Sequence, residues 1–149
     1  MKTNLPDNSR FKDLRIAITG ANGSLGQFLI KEFKGKGAYV VGLTHSKKNY
    51  GTSYEIAPDD WISWSCGEEK LLSNKLSNID ILILNHGFNP KGNIDPNEIN
   101  KAIEINSLSH WRLIQIFEES ALNKNNSNQF NSKEIWINKE LGKSVGKQN

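Results

Sequence analysis

The sequence predicts an α/β fold, in which the strands of a parallel sheet alternate with helices. Short apolar runs alternate with amphipathic stretches along the chain. The run 79–87 (IDILILNHG) is apolar on both faces, as expected for a central strand that helices cover on both sides. A turn with regularly spaced glycines, 20–26, directly follows the first apolar run. Right-handed crossovers would place helices on both faces of such a sheet.

Length, charge and cysteine content limit the kind of protein. The 149 residues suffice for one domain, and a net charge of +3 indicates neither a nucleic-acid footprint nor a membrane patch. The single cysteine, Cys66, excludes an intramolecular disulfide and a cysteine-rich metal site. No apolar run approaches transmembrane length, and 1–13 lacks the apolar core of a signal peptide. We therefore expect a cytoplasmic protein with a flexible tail over 1–13, one domain over 14–138 and a polar tail over 139–149.

Periodicity and turn signals place the individual elements. The helix that starts at Ser24 carries apolar residues at helical spacing, among them Leu25 and Phe28. Asp95 is suited to cap the long helix, and Pro96 is suited to its first position. The predicted strands are 15–19, 38–45, 60–64, 79–87 and 134–138. The two later helices are predicted over 68–77 and 96–121.

The glycine turn between the first strand and the first helix indicates a binding site for a diphosphate. A helix N-terminus beyond the carboxyl end of a strand presents unpaired N–H groups and a positive dipole end to an anion. Gly20 would turn the chain sharply, Gly23 would let phosphate oxygens approach the backbone, and Gly26 would let the helix pack closely. The alternative is an ordinary strand-to-helix turn with a glycine-rich cap.

Three motifs resemble those of the short-chain dehydrogenase/reductase family. They are TGANGSLG (19–26), NHG (85–87) after the fourth strand, and IEINSLS (103–109) in the long helix. The resemblance implies an NAD(P)-binding, Rossmann-like three-layer α/β/α fold with about five strands in the order 3-2-1-4-5. One departure is Ser24, which stands where the shorter branch of the family has glycine, whereas Gly23 matches the extended branch. We weight the later motifs more and interpret the turn as a local variant.

The residues near the end of the second strand favour NADP over NAD as the cofactor. An NAD site usually has an acid about 20 residues beyond the glycine turn, to bind the ribose 2′-hydroxyl. Here Glu32 comes too early and Glu55 too late, and the strand instead runs into LTHSKK (43–48). A hydroxyl and two lysines could hold a 2′-phosphate there, although the lysines could equally belong to a solvated loop. The predicted cofactor-binding residues are Thr19, Gly20, Asn22, Gly23, Ser24, Leu25, Gly26, Thr44, Ser46, Lys47, Asn85, His86 and Gly87.

Histidine has no predicted role in catalysis or metal binding. The resemblance implies that Asn85 and Gly87 line the adenosine ribose side of the cofactor, and His86 replaces the usual small residue between them. We interpret His86 as a tolerated loop side chain. His45 and His110 have no partner at ligand spacing, so we predict no metal.

Asn106 is the candidate catalytic residue. It shares a predicted helix face with apolar residues, so its amide must find hydrogen bonds or incur a burial cost of about 1–3 kcal/mol. The members of that face are Ile99, Ile103, Asn106, His110, Leu113 and Phe117. One possibility is an amide bonded to its own helix. The family resemblance instead implies an asparagine that holds a water in the proton relay, and we favour this role.

The catalytic pair of the family is missing from this chain. Family members use Tyr-x-x-x-Lys to protonate the developing alkoxide. The tyrosines here are Tyr39, Tyr50 and Tyr54, and none has lysine four residues later. We therefore expect a family member cut off after its cofactor half and catalytically incomplete. The alternatives are a non-catalytic dinucleotide-binding module, a remnant, or one half of a split enzyme.

Such a chain should also tend to self-associate. The strand 134–138 would be an unprotected sheet edge. On the helix 96–121, Ile105, Leu108 and Ile116 would form a second apolar stripe away from Asn106. We predict self-association through these two elements, with a nicotinamide dinucleotide as the small-molecule partner.

Overall fold

Five parallel strands form one sheet in the order β3-β2-β1-β4-β5, which confirms the predicted fold class and strand order. The computed structural model describes residues 8–45, 56–90, 95–125 and 133–137. The strands are β1 (Arg15–Thr19), β2 (Tyr39–Thr44), β3 (Asp60–Ser63), β4 (Ile81–Leu84) and β5 (Glu134–Ile137). Each is as long as its prediction or shorter, because apolar residues such as Ile79 continue beyond the ladder.

The helices follow the strands in the expected alternation. They are α1 (Ser24–Gly35), α2 (Ser73–Leu76), α3 (Pro96–Ile103) and α4 (Ser109–Asn125). The segment predicted as one helix over 68–77 is a 3₁₀ turn, Glu69–Leu72, that leads into α2. No helix within the described ranges is long and apolar enough to cross a bilayer.

β1 lies at the centre of the sheet and sets the position of the site. Its Ile18 is paired with Gly42 of β2 and with Ile83 of β4. Because the strands are parallel, their carboxyl ends lie along one edge of the sheet. The glycine turn, the end of β2 and the loop after β4 therefore meet at that edge.

Two apolar clusters cover the two faces of the sheet. The face that α1 covers includes Ile30 and Phe33, and the opposite face includes Leu113 and Phe117 of α4. On α1 the apolar residues at helical spacing are not all buried, since Leu25 is 44% exposed and Phe28 is 57% exposed. Gly26, Ile30 and Phe33 are the helix positions buried against the sheet.

The long helix predicted over 96–121 is interrupted by a π turn, Glu104–Leu108. Asp95 caps α3 as predicted, since its carboxylate accepts a hydrogen bond from Asn97 N at 3.0 Å. The wider π turn rotates α3 relative to α4, so Ile99 and Ile103 do not share the buried face of Leu113 and are exposed.

The predicted second apolar stripe of the long helix is wrong for the same reason. Ile116 is buried in the core, Leu108 is exposed, and Ile105 lines a cavity. These three residues therefore do not form one surface.

A short 3₁₀ turn, Asn8–Phe11, precedes β1 and packs on the sheet. The ring of Phe11 lies 5.2 Å from that of Phe33 and 5.9 Å from that of Trp136, in edge-to-face contacts. Arg10 forms an ion pair with Glu134 at 3.2 Å. Part of the segment assigned to the N-terminal tail thus contacts β5.

Candidate functional site

Two glycines, one in the turn after β1 and one in the first part of α1, stand where a Cβ would press on backbone atoms. Gly20 has φ of +64°, and a Cβ there would lie 3.0–3.1 Å from backbone atoms of Asn85 and His86. A Cβ on Gly26 would lie 2.3 Å from the carbonyl oxygen of Gly20 and 2.7 Å from the Cα of Ala21. The turn and the start of α1 are therefore in close backbone contact, as the glycine spacing predicts.

Gly23 is the N-cap of α1 and has no side chain with which to cap it. Its N–H donates to Gly20 O at 3.0 Å, and its carbonyl accepts from Gln27 N at 2.9 Å. The N–H groups of the first helical turn have no acceptor within the helix. They lie next to the carboxyl end of β1, where an anion would meet N–H donors and the positive end of the helix dipole.

A cavity of about 400 Å³ opens beside this turn, at the carboxyl ends of β1 to β4. Lys101 lies at its wall, with Nζ 4.4 Å from the centre of the Phe88 ring. The lining residues are Gly20, Leu43, Thr44, His45, Trp64, Ser65, Cys66, His86, Gly87, Phe88, Lys101 and Ile105. In open α/β sheets, ligands bind at this edge, where the direction of the strand order reverses.

The end of β2 is tied to the glycine turn by side chains. Asn22 donates from its amide to Thr44 Oγ1 at 2.6 Å, and Thr44 is buried. His45 follows Thr44 and lines the cavity. Ser46 and Lys47, which the sequence assigns to the same site, lie outside the described residues.

Thr19 connects the end of β1 to the loop after β4. Its Oγ1 accepts hydrogen bonds from Asn85 N at 2.8 Å and from His86 N at 3.1 Å. The same oxygen lies 3.3 Å from Ile83 O, to which it can donate. Asn85 is buried, while Gly87 is exposed at the cavity.

His86 is a packed residue, so its interpretation as a tolerated loop side chain is wrong. Its Nδ1 lies 2.8 Å from Thr19 Oγ1, and its Nε2 lies 3.2 Å from Ser109 Oγ. The ring makes edge-to-face contacts with Trp64 at 5.2 Å and with His110 at 4.3 Å. Burial, and then the nearby imidazole of His110, lower the pKa of His86 to about 3. His86 is therefore neutral at physiological pH.

Asn106 and His110 fix the loop after β4 to the long helix. The Asn106 amide accepts from Phe88 N at 2.7 Å and donates to Phe88 O at 2.8 Å. His110 Nε2 lies 2.9 Å from the carbonyl oxygen of His86 and donates to it. The Asn106 amide therefore forms its hydrogen bonds with the backbone of Phe88 and not with its own helix. Its role in a proton relay stays a prediction.

A buried carboxylate lies behind the cavity. Glu69 is 1% exposed and accepts from Arg112 Nε at 2.7 Å and from Gly67 N at 3.0 Å, and Arg112 also bonds to Glu104. Burial raises the pKa of Glu69, but hydrogen bonds from Arg112, Gly67 and Ser109 outweigh it and hold this pKa below its usual value.

Burial raises the pKa of the Cys66 thiol, which keeps the thiol protonated.

The chain is similar in sequence to a known protein over most of its length. No family model matches the chain. It is 34% identical over 129 residues to a monoglucosyldiacylglycerol epimerase of Synechocystis sp. (strain ATCC 27184 / PCC 6803 / Kazusa). The match covers 85% of this chain and 31% of that protein, so the chain spans about a third of the length of this relative.

Solved structures of short-chain dehydrogenases have the same fold. One from Leptospira borgpetersenii serovar Hardjo-bovis, with bound NAD+, has a TM-score of 0.66 at 21% identity, over 92% of this chain and 55% of that one. One from Burkholderia cenocepacia J2315, in complex with NADP, has a TM-score of 0.66 at 18% identity, over 85% and 53%. A short chain dehydrogenase/reductase family protein gives 0.72 at 16%, over 85% and 55%.

The fold is therefore the Rossmann-like α/β fold that these solved short-chain dehydrogenases have. In particular, solved members of the short-chain dehydrogenase/reductase family have this fold, which confirms the fold that the motif resemblance implied. The chain spans about half the length of these structures.

Proposed function

We propose that this chain binds a nicotinamide dinucleotide at the carboxyl edge of its sheet, with NADP(H) preferred to NAD(H). The observation that carries the proposal is the glycine turn, in which a Cβ on Gly20 or Gly26 would meet backbone atoms. Gly20 lines the cavity, and α1 begins a few residues beyond the carboxyl end of β1. A diphosphate fits this arrangement because the backbone itself supplies the donors. Neighbouring folds solved with NAD+ and with NADP support the same class of ligand.

The proposed contacts follow the order of the elements. The turn, with Gly23, Ser24 and Leu25, would hold the diphosphate through its N–H groups. The loop after β4 would line the adenosine ribose with Asn85, His86 and Gly87. At the end of β2, the same adenosine ribose and its 2′-phosphate would meet Thr44, Ser46 and Lys47. The absence of an acid close after β2 in the sequence supports NADP(H).

Bound nicotinamide would supply hydride transfer between a carbonyl and an alcohol. We propose that this chain does not complete that reaction alone, because none of its tyrosines is followed by lysine at the required spacing. Asn106 remains the proposed relay residue. A non-catalytic dinucleotide-binding module and one half of a split enzyme are the alternatives.

The 34% identity to the Synechocystis epimerase favours a second candidate for the whole protein, an epimerase of a glycosylated lipid. The test is incubation of this chain with monoglucosyldiacylglycerol and NAD+ or NADP+, with chromatographic separation of the epimers. We expect no conversion by this chain alone. Formation of the epimer would overturn the proposal that the chain is catalytically incomplete.

Two further features belong to this proposal. The single cysteine supports a reducing cytoplasmic location. Self-association through the helix 96–121 and the strand 134–138 is supported by Trp111, which is 59% exposed on α4, and by Ile137, which is 51% exposed on β5. β5 pairs with β4 and forms one edge of the described sheet.

The proposal is tested by titrating the protein with NADPH and with NADH and following the fluorescence of the reduced nicotinamide. We expect tighter binding of NADPH. Gly23→Ala should weaken binding about tenfold, because a Cβ at the N-cap would lie in the path proposed for the phosphate oxygens. Gly35→Ala is the matched control, since no atom lies within 4 Å of a Cβ there. Tighter binding of NADH would contradict the NADP preference, and binding of neither nucleotide would contradict the proposed function.

A further inference from the structure

The side chain of His86 joins three separate elements at the base of the cavity. It contacts Thr19 at the end of β1, Ser109 at the start of α4 and Trp64 just after β3. Its own residue lies against the turn, because a Cβ on Gly20 would be 3.0 Å from His86 Cα. A displacement of His86 would therefore move the wall that faces the proposed dinucleotide.

The hydrogen bonds of Thr19 fix which nitrogen of His86 carries the proton. A hydroxyl oxygen has two lone pairs and one hydrogen. The N–H groups of Asn85 and His86 both donate to Thr19 Oγ1, so both lone pairs are occupied. Only the hydroxyl hydrogen remains for His86 Nδ1 at 2.8 Å, which is closer than Ile83 O at 3.3 Å. Nδ1 must accept, and Nε2 must carry the ring hydrogen.

The second nitrogen of His86 continues the chain of hydrogen bonds. Its Nε2–H donates to Ser109 Oγ at 3.2 Å. The hydroxyl hydrogen of Ser109 is then left for the carboxylate of Glu69, whose pKa Ser109 helps to lower. Glu69 is held in turn by Arg112, which also binds Glu104.

We propose that His86 is a positioning residue, which holds the mouth of the dinucleotide site as a neutral imidazole with its proton on Nε2. Among the described charged and titratable groups, His110 of α4 and Glu69 after β3 act on His86 directly. Arg112 binds Glu69 and Glu104, and His45, Cys66 and Lys101 line the same cavity. A second proton on Nδ1 would turn the acceptor for Thr19 into a donor and break that contact. The inference rests on the proposed function for its consequence, but the tautomer has a test of its own.

Long-range ¹H–¹⁵N correlation spectra of protein with ¹⁵N-labelled histidine test the tautomer directly. The three histidines are assigned by comparison with single variants. We expect His86 to be the Nε2–H tautomer and not to titrate between about pH 5.5 and 8, the range in which an ordinary histidine changes charge. An Nδ1–H tautomer, or a titration within that range, would overturn the proposal.

Variants then test the effect on the site. Ser109→Ala removes the Nε2 partner and should shift the Nε2 resonance while the proton stays on Nε2, because Thr19 still donates to Nδ1. Ser107→Ala, at an exposed position of the π turn, should leave the spectrum unchanged. His86→Leu should bind NADPH about tenfold more weakly. His86→Asn, whose amide oxygen can accept from Thr19, should stay within about threefold of the unmodified protein.

Equal affinities of the Leu and Asn variants would show that His86 has no positioning role. If His86→Leu does not fold by circular dichroism, the Ser109→Ala spectrum decides instead, and a change to the Nδ1–H tautomer would overturn the proposal. If the unmodified protein binds neither nucleotide, the proposed function fails, and the spectra still report the tautomer of His86.

Discussion

Gly26 shows how one residue determines the approach of a helix to a strand. A Cβ at this position would lie 2.3 Å from the carbonyl oxygen of Gly20, and its three nearest atoms are all backbone. The Gly-x-x-Gly-x-x-Gly spacing predicts this contact, because only glycine permits it. The sequence therefore predicts the close contact between the glycine turn and α1, because the backbone there leaves glycine as the one possible residue type.

Gly26→Ala should strongly destabilise the protein. The clash with backbone cannot be relieved by a change of rotamer, so we expect the free energy of unfolding to fall by about 3 kcal/mol. Urea denaturation followed by circular dichroism measures it. Gly35→Ala, with open space around the new methyl group, should change stability by less than about 1 kcal/mol. Equal effects of the two substitutions would contradict the packing role of Gly26.

His86 shows what residue spacing cannot predict. Its ring contacts Thr19, which is 67 positions earlier, and Ser109, which is 23 positions later. A histidine in a loop between Asn85 and Gly87 gives no local sign of such partners. The predicted strand order could have indicated the contact with Thr19, because a residue after β4 lies beside the end of β1 when these two strands are neighbours.

At the scale of the elements, α3 and α4 show why a predicted helix can begin at the right residue and still have the wrong faces. An α-helix turns by about 100° per residue, and projection of 96–121 as one such helix aligns Ile99 with Phe117. The π turn Glu104–Leu108 breaks this alignment, and Ile99 is 39% exposed. Nothing in the local composition distinguishes a π turn from an α turn. Its position follows from tertiary contacts, such as those of Asn106 with Phe88.

The ion pair between Glu69 and Arg112 links α4 to the 3₁₀ turn after β3, and it should make stability depend on pH. The pKa of Glu69 is lowered in the folded protein, so its contribution is present above the unfolded value and is lost as the pH falls through the folded value. We expect the urea midpoint to decrease below about pH 4.5. Glu69→Gln should reduce this decrease, measured by urea denaturation from pH 7 to pH 3.

Glu32→Gln provides the control for that measurement. Glu32 is 44% exposed and forms a surface pair with Lys36 at 3.6 Å, which contributes little to stability. The pH dependence of this variant should match that of the unmodified protein. A Glu69→Gln variant with the same pH dependence as Glu32→Gln would show that the buried pair does not stabilise the fold.

At the scale of the whole molecule, alternation of strands and helices was sufficient to predict the sheet. The family resemblance adds the order β3-β2-β1-β4-β5, and the structure confirms it. The surface was less predictable. Phe28 and Trp111 are more than half exposed although their apolar character suggests burial, because the sequence does not say which surface a partner covers.

The predicted self-association can be measured by size-exclusion chromatography with light scattering. We expect a species larger than the 16.8 kDa monomer. Ile137→Lys should shift it toward the monomer, because a charge on the edge of β5 opposes strand pairing. Phe28→Lys is the control, since Phe28 is 57% exposed on α1, an element that belongs to neither predicted interface. A monomer at every concentration would contradict the prediction.

The π turn has a consequence for comparing this chain with other proteins. A relative whose helix is α-helical throughout has one residue fewer between the same two spatial positions. A correct structural alignment with such a relative must open a single-residue gap within Glu104–Leu108. Without that gap, each position of Pro96–Ile103, including cavity-lining Lys101, would be matched to a neighbour that points about 100° away.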